Sequence, residues 1–136
     1  MAMTNSEIVK STYEGESSEE NGRNLERHLA PDSTWREAEG FPYAGFYRGF
    51  AEVAEKVFSK LAGEWIGYRF TPEGYVADGD KVVAYGTYQG KFKRTGKEMR
   101  ARVAHLWKLK DGKIIAFEQF VDSVPVAKAL LDTPDT

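Results

Sequence analysis

The sequence predicts an α+β fold in which N-terminal helices pack on a curved antiparallel sheet. Apolar residues recur at helical spacing as far as Leu61, and from Trp65 onward the period becomes two. The later stretch is cut by Asp78-Gly79, Thr95-Gly96 and Asp111-Gly112, dipeptides suited to hairpin turns. Helices followed by consecutive hairpins is the order of an α+β domain, whereas a βαβ chain would alternate the two. The 136 residues fit one domain over 1–136, with a core at about 5–131.

Each element follows from local signals. Asn5 or Ser6 is placed to cap a first helix carrying Ile8, Val9 and Tyr13, which Gly15-Glu16-Ser17-Ser18 breaks. A second helix through Leu25 and Leu29 ends at Ala30-Pro31-Asp32, because the residue before proline is driven out of the helical region. Thr34-Trp35-Arg36-Glu37 alternates as a short strand and leads into the aromatic loop Gly40-Phe41-Pro42-Tyr43-Ala44-Gly45. Residues 49–61 form a third helix, with Phe50, Val53, Val57 and Leu61 on its apolar face and Gly63 ending it. Strands follow at 65–71, 81–93, 98–109 and 113–122. A last short helix opens after Asp122-Ser123, with Asp122 as its cap and Pro125 near its first turn. The helices cover one face of a sheet of four to six strands and leave a conical pocket.

Composition narrows the chemistry. Hydrophobic residues at 41% and charged residues at 29% are globular values. The absence of cysteine excludes disulfides, thiolate nucleophiles and Cys-ligated metals. His28 and His105 stand in no His-Glu-x-x-His pattern, so no metal site and no cofactor is expected. No apolar run is long enough to cross a bilayer and residues 1–20 lack a signal-peptide pattern, which predicts a cytoplasmic protein without a membrane partner. Net charge is −2, but residues 1–40 carry nine acids against four bases and residues 86–113 nine bases against two acids. Lys91 and Lys93 flank Phe92 before the turn at Arg94-Thr95-Gly96-Lys97, so the basic stretch reads as a solvated hairpin, with no nucleic-acid partner expected.

Leu29-Ala30-Pro31-Asp32, Trp35, Gly40-Phe41-Pro42-Tyr43-Ala44-Gly45, Tyr47-Arg48-Gly49, Val76-Ala77-Asp78-Gly79-Asp80, Ala104-His105-Leu106-Trp107, Asp111-Gly112-Lys113-Ile114 and Phe120-Val121-Asp122 occur in this order. Together they resemble the SnoaL-like, ketosteroid-isomerase-related branch of the nuclear-transport-factor-2-like superfamily, over roughly residues 5–131. The resemblance implies a cystatin-like, cone-shaped half-barrel, usually a homodimer, with a deep apolar cavity. It leaves the reaction open, because that fold hosts isomerases, cyclases, epoxide hydrolases and non-catalytic binders.

Ketosteroid isomerases shuttle a proton with a carboxylate and hold the dienolate with a tyrosine and a protonated aspartic acid. Tyr13 falls at the family tyrosine and Glu37 at the family base. The third member is missing, since Val103 or Ala104 stands in its place; one lost oxyanion donor is worth ~10²- to 10³-fold in rate. The epoxide-hydrolase positions hold Gly86, Tyr88 and Gln119, and the cyclase aspartate expected fourteen residues after His105 is also Gln119, so neither base is present.

Two registers of the last hairpin can be built, and the second is the one expected. A two-residue Asp111-Gly112 loop pairs Lys110 with Lys113 and puts His105 on the face of Glu118 and Phe120. A three-residue loop with a glycine bulge pairs Leu109 with Lys113 and puts His105 with Phe117, Gln119 and Val121, the arrangement the family pattern favours. The resulting candidates are Glu37, Tyr13 and His105 as catalytic groups and Gln119, Trp35, Phe41, Tyr88 and Tyr68 as binding groups. One reading is cofactor-free proton transfer on a small apolar carbonyl compound. The other is an apolar-ligand binder or dimeric scaffold without turnover, and a solvated Glu37 paired with Arg36 would favour it.

Overall fold

In the computed structural model, which describes residues 2–132, helix α1 (Asn5–Ser11) opens on Thr4. Glu7 N donates to the Thr4 hydroxyl at 3.1 Å and Thr4 N donates to the Glu7 carboxylate at 2.7 Å. The cap is therefore neither Asn5 nor Ser6, because only Thr4 has a glutamate three residues on to close the reciprocal pair. Helix α2 (Ser18–His28) is capped by Ser17 and passes directly into β1 (Leu29–Glu37), so Leu29 belongs to a strand and not to the helix before it. The aromatic loop then reaches the short edge strand β2 (Gly45–Arg48), which local pattern did not predict.

The third helix is continuous but uneven: α3 (Gly49–Val53), a π-wound turn over Ala54–Phe58, and α4 (Ser59–Glu64). Four long strands follow as a meander, β3 (Trp65–Asp78), β4 (Lys81–Phe92), β5 (Glu98–Lys110) and β6 (Lys113–Val121). Helix α5 (Ser123–Leu130), capped by Asp122, buries Val126 and Ala129 and packs on β5.

The expected antiparallel, cone-shaped half-barrel is overturned. The sheet runs β2-β1-β6-β5-β4-β3, and β1 pairs with β6 in parallel, Trp35 beside Phe117 and Arg36 beside Glu118. The sheet is thus mixed, and it is open, with β2 and β3 as its two edges. Alternation shows that a strand has one buried face and carries no information about the direction of a neighbour distant in sequence.

The last hairpin combines the two registers. Asp111 and Gly112, both at positive φ, close a two-residue turn with Lys110 opposite Lys113. The pairing then jumps from Leu109 with Ile114 to Lys108 with Ala116, leaving Ile115 as the extra residue of a bulge. That bulge exchanges the faces and sets His105 opposite Gln119. On the inner face β5 buries Met99, Ala101, Val103, His105, Trp107 and Leu109 in strict alternation. On the outer face Tyr85, Ala104 and Phe120 line up across three strands, with Tyr85 39% and Phe120 50% exposed.

Candidate functional site

A cavity of about 600 Å³ lies between the inner face of the sheet, the corner joining α1 to α2, and α4. Its walls are largely aromatic, and three local irregularities shape them. The π-wound turn carries Phe58 against Trp35, edge-on at 5.8 Å. The register of β3 shifts between Ile66 and Arg69, where Gly67 has φ +63, and the bulge turns Tyr68 into the cavity. The parallel pairing of β1 with β6 stacks Trp35 on Phe117 at 3.7 Å and brings Trp107 edge-on to Trp35 at 5.7 Å.

Glu37 lies at the end of β1, 5% exposed, lining this cavity without a hydrogen-bond partner. Burial among rings pushes its carboxyl up to about 8; the Trp35 N–H offsets part of that shift from nearby, without making a hydrogen bond itself. The carboxyl is therefore mostly protonated at neutral pH. Arg36 points to the opposite face, over the Phe46 ring at 5.2 Å, so the surface ion pair that would have favoured a passive Glu37 does not form.

His105 is built differently. Tyr13 shares a hydrogen bond with Nδ1 and Tyr88 with Nε2, each at 2.6 Å. Trp107 Nε1 donates to the Tyr13 hydroxyl at 2.8 Å, and Gln119 Nε2 donates to the Tyr88 hydroxyl at 2.8 Å. Ala38 N donates to Gln119 Oε1 at 3.0 Å, which fixes the orientation of the amide. Burial pushes His105 down to about 3 and lifts the hydroxyls of Tyr13, Tyr88 and Tyr68, so all of these are neutral near pH 7.

Of the eight residues singled out from the sequence, Glu37, Tyr13, His105, Trp35, Tyr88 and Tyr68 line one cavity. Gln119, 1% exposed, stands behind Tyr88, and Phe41 packs behind it too, with ring centroids 6.0 Å apart. Sequence reasoning missed Trp107, Phe117, Phe58 and Phe70 as walls. Trp107 and Phe117 were legible from shared parity with His105, whereas nothing local marks Phe58, which depends on the π-wound turn. Among the described residues no group of three or more His, Asp or Glu side chains comes together to hold a metal. An apolar hollow with a single carboxyl titrating near neutrality and a neutral hydroxyl-imidazole chain is equipped to bind an apolar molecule and to exchange protons with it.

The sequence model of the SnoaL-like domain family matches residues 9–117. An NTF2-like protein from Burkholderia thailandensis E264 is 40% identical, over 91% of this chain and 95% of that one, with a TM-score of 0.86. TerC, co-crystallised with polyporic acid, is 25% identical over 92% of this chain and 96% of its own, at TM-score 0.79. An NTF2-like protein of unknown function from Burkholderia pseudomallei K96243, 21% identical over 94% and 98% of the two chains at TM-score 0.82, shares the fold. No curated protein matches the sequence.

Proposed function

The chain belongs to the SnoaL-like domain family of the NTF2-like superfamily, and on that basis we propose that its cavity binds a small, mainly apolar carbonyl compound on which Glu37 moves a proton, as a cofactor-free isomerase or cyclase would. The observation that carries this reading is a bare, buried carboxyl held near 8 inside an aromatic cavity. A group with that pKa takes a proton in one step and returns it in the next near neutral pH. Trp35, Tyr68 and Tyr88 orient the ligand, and Tyr13 with His105 stabilises charge developing on its oxygen. The polyporic acid co-crystallised with TerC supports a small-molecule occupant.

A second reading, binding without turnover, is favoured by one specific contact set. The Tyr13 oxygen is already engaged by Trp107 and His105, so in the ligand-free protein it is not presented as a free oxyanion donor. A thermal-shift screen against steroids, polyketide-like aromatics and terpenoids identifies the ligand class, because tight binding to the native state raises Tm. Glu37→Gln then separates the readings. Lost turnover with retained binding supports proton transfer; unchanged turnover removes Glu37 from the mechanism; a bound ligand that the wild type leaves unaltered favours the binder.

The same protein is proposed to be a homodimer, joined through the row Tyr85, Ala104 and Phe120, whose exposed rings form an apolar strip on the outer face. Light scattering is expected to give twice the chain mass for the wild type and a monomer for Phe120→Asp. A monomeric wild type at micromolar concentration would dispose of the dimer and leave the cavity reading untouched.

A further inference from the structure

Resting on the binding reading above, we infer that Gly22 is a specificity-determining residue: it holds open the entrance through which a ligand reaches Glu37, and so limits the width of what can enter. Exposure locates the entrance. The lining residues from β1, β4, β5 and β6, which are Trp35, Glu37, Tyr88, His105, Trp107 and Phe117, are all buried. Ser18 of α2, Ala62 of α4, and Gly67 and Arg69 of β3 line the same cavity and are exposed, so the cavity meets solvent between these three elements. Gly22 lies one helical turn beyond Ser18, half-buried at the same rim.

The rim is built from short residues. Its one long side chain, Arg69, donates to Gln89 Oε1 at 3.4 Å on the neighbouring strand. Gly22 is the informative member, because it stands inside α2, where glycine weakens a helix relative to alanine. Its φ is not positive, so the backbone does not call for glycine. A Cβ at this position would meet no heavy atom outside its own helix within 4 Å, so packing does not call for it either. The space a side chain would fill is the mouth of the cavity. Gly67 borders the same open space, but its φ of +63 already requires glycine, and the inference therefore rests on Gly22. What lies behind the opening points to a ligand: the Glu37 carboxyl, 5% exposed and without a hydrogen-bond partner, in the same cavity. A residue that acts only at an entrance slows arrival and departure by one factor and leaves the bound state as it was.

Two measurements on the full chain test this. All three tryptophans, Trp35, Trp65 and Trp107, line the cavity and are buried, so quenching of their fluorescence by acrylamide reports entry into the empty protein. Gly22→Phe is expected to weaken quenching, as is Ala62→Phe from the α4 side of the rim. Gly22→Ala should leave quenching unchanged and raise Tm by about 2–4 °C, since alanine favours the helix. With N-phenyl-1-naphthylamine, an uncharged dye that fluoresces in apolar surroundings, association and release in Gly22→Phe should both slow about tenfold, with affinity within about twofold of wild type. Should Gly22→Phe lose the far-UV spectrum of the wild type, Ala62→Phe carries both measurements. Quenching equal to wild type in the phenylalanine variants overturns the inference. So does a variant that loses affinity with an unchanged association rate, since the position would then be a wall of the bound ligand. A wild type that does not bind the dye counts against the binding reading alone, and quenching still decides the entrance.

Discussion

Glu37 and His105 line the same wall of the cavity, both about 5% exposed, and in both burial disfavours the charged form. One is bare and the other is bonded at both ring nitrogens. The contrast divides the polar groups of the cavity into two kinds. His105, with Tyr13, Tyr88, Gln119 and Trp107, forms a linked set of hydrogen bonds, so removing one member takes a partner from its neighbours. Glu37 belongs to no set, so its protonation is free to follow the ligand, and the fold gives up little if the carboxyl is replaced.

The largest expected effect tests the linked set. His105→Phe keeps the ring volume but takes the imidazole nitrogens away from the Tyr13 and Tyr88 hydroxyls, leaving each with only the incoming donor, Trp107 or Gln119. Each buried hydroxyl so stranded costs ~1–3 kcal/mol, and a loss of about 3 kcal/mol in urea unfolding is expected. A loss under about 1 kcal/mol would mean that the ring's two contacts add little to the fold.

The next effect tests the bare carboxyl. Its pKa is raised in the folded state, from an ordinary 4.5 to about 8, so its stabilisation is complete below pH 4.5 and is lost as pH rises through 8. Wild type should therefore fall behind Glu37→Gln between pH 5 and 9, by on the order of 3 kcal/mol at the alkaline end, with the two converging near pH 5. Parallel Tm profiles over that range would show that Glu37 is not buried bare. His105 has the opposite sign: its pKa is lowered to about 3, so its contribution is present above 6.5 and lost as pH falls through 3. The acid limb of the wild-type profile belongs in part to His105 and the alkaline limb to Glu37.

The smallest effect lies on the outer face. Arg102 pairs with Glu73 and donates to Thr87 at 2.9 Å, but its side chain is 62% exposed. Arg102→Met is expected to cost about 0.5 kcal/mol or less in urea unfolding, since solvent screens such pairs. A cost rivalling that of His105→Phe would erase the distinction between the two faces of the sheet.

Much of the site could be read from the chain because alternation assigns a strand residue to a face. His105, Trp107 and Val103 share one parity, Arg102 the other, and the structure places them so. Where the pattern was interrupted, reading failed. The two-residue turn at Asp111-Gly112, taken alone, puts His105 with Glu118, and only the extra residue Ile115 brings it opposite Gln119. Sequence shows which residues can form a turn but not where a bulge relieves a strand, because a bulge answers to the packing of the neighbouring strands.

The amino-acid order by itself determined the helices ahead of the four-strand meander, the meander's hairpin turns, and the side of β5 that faces the core. All of these follow from backbone preference and the period of apolar residues over a few neighbours. Tertiary structure alone decided that β1 lies parallel to β6 in an open sheet, that the helix widens at Phe58, and that Glu37 stays unpaired while His105 is paired twice. Those outcomes depend on which side chains meet across long stretches of chain, and the energy of such meetings is set by shared burial, which no local window contains.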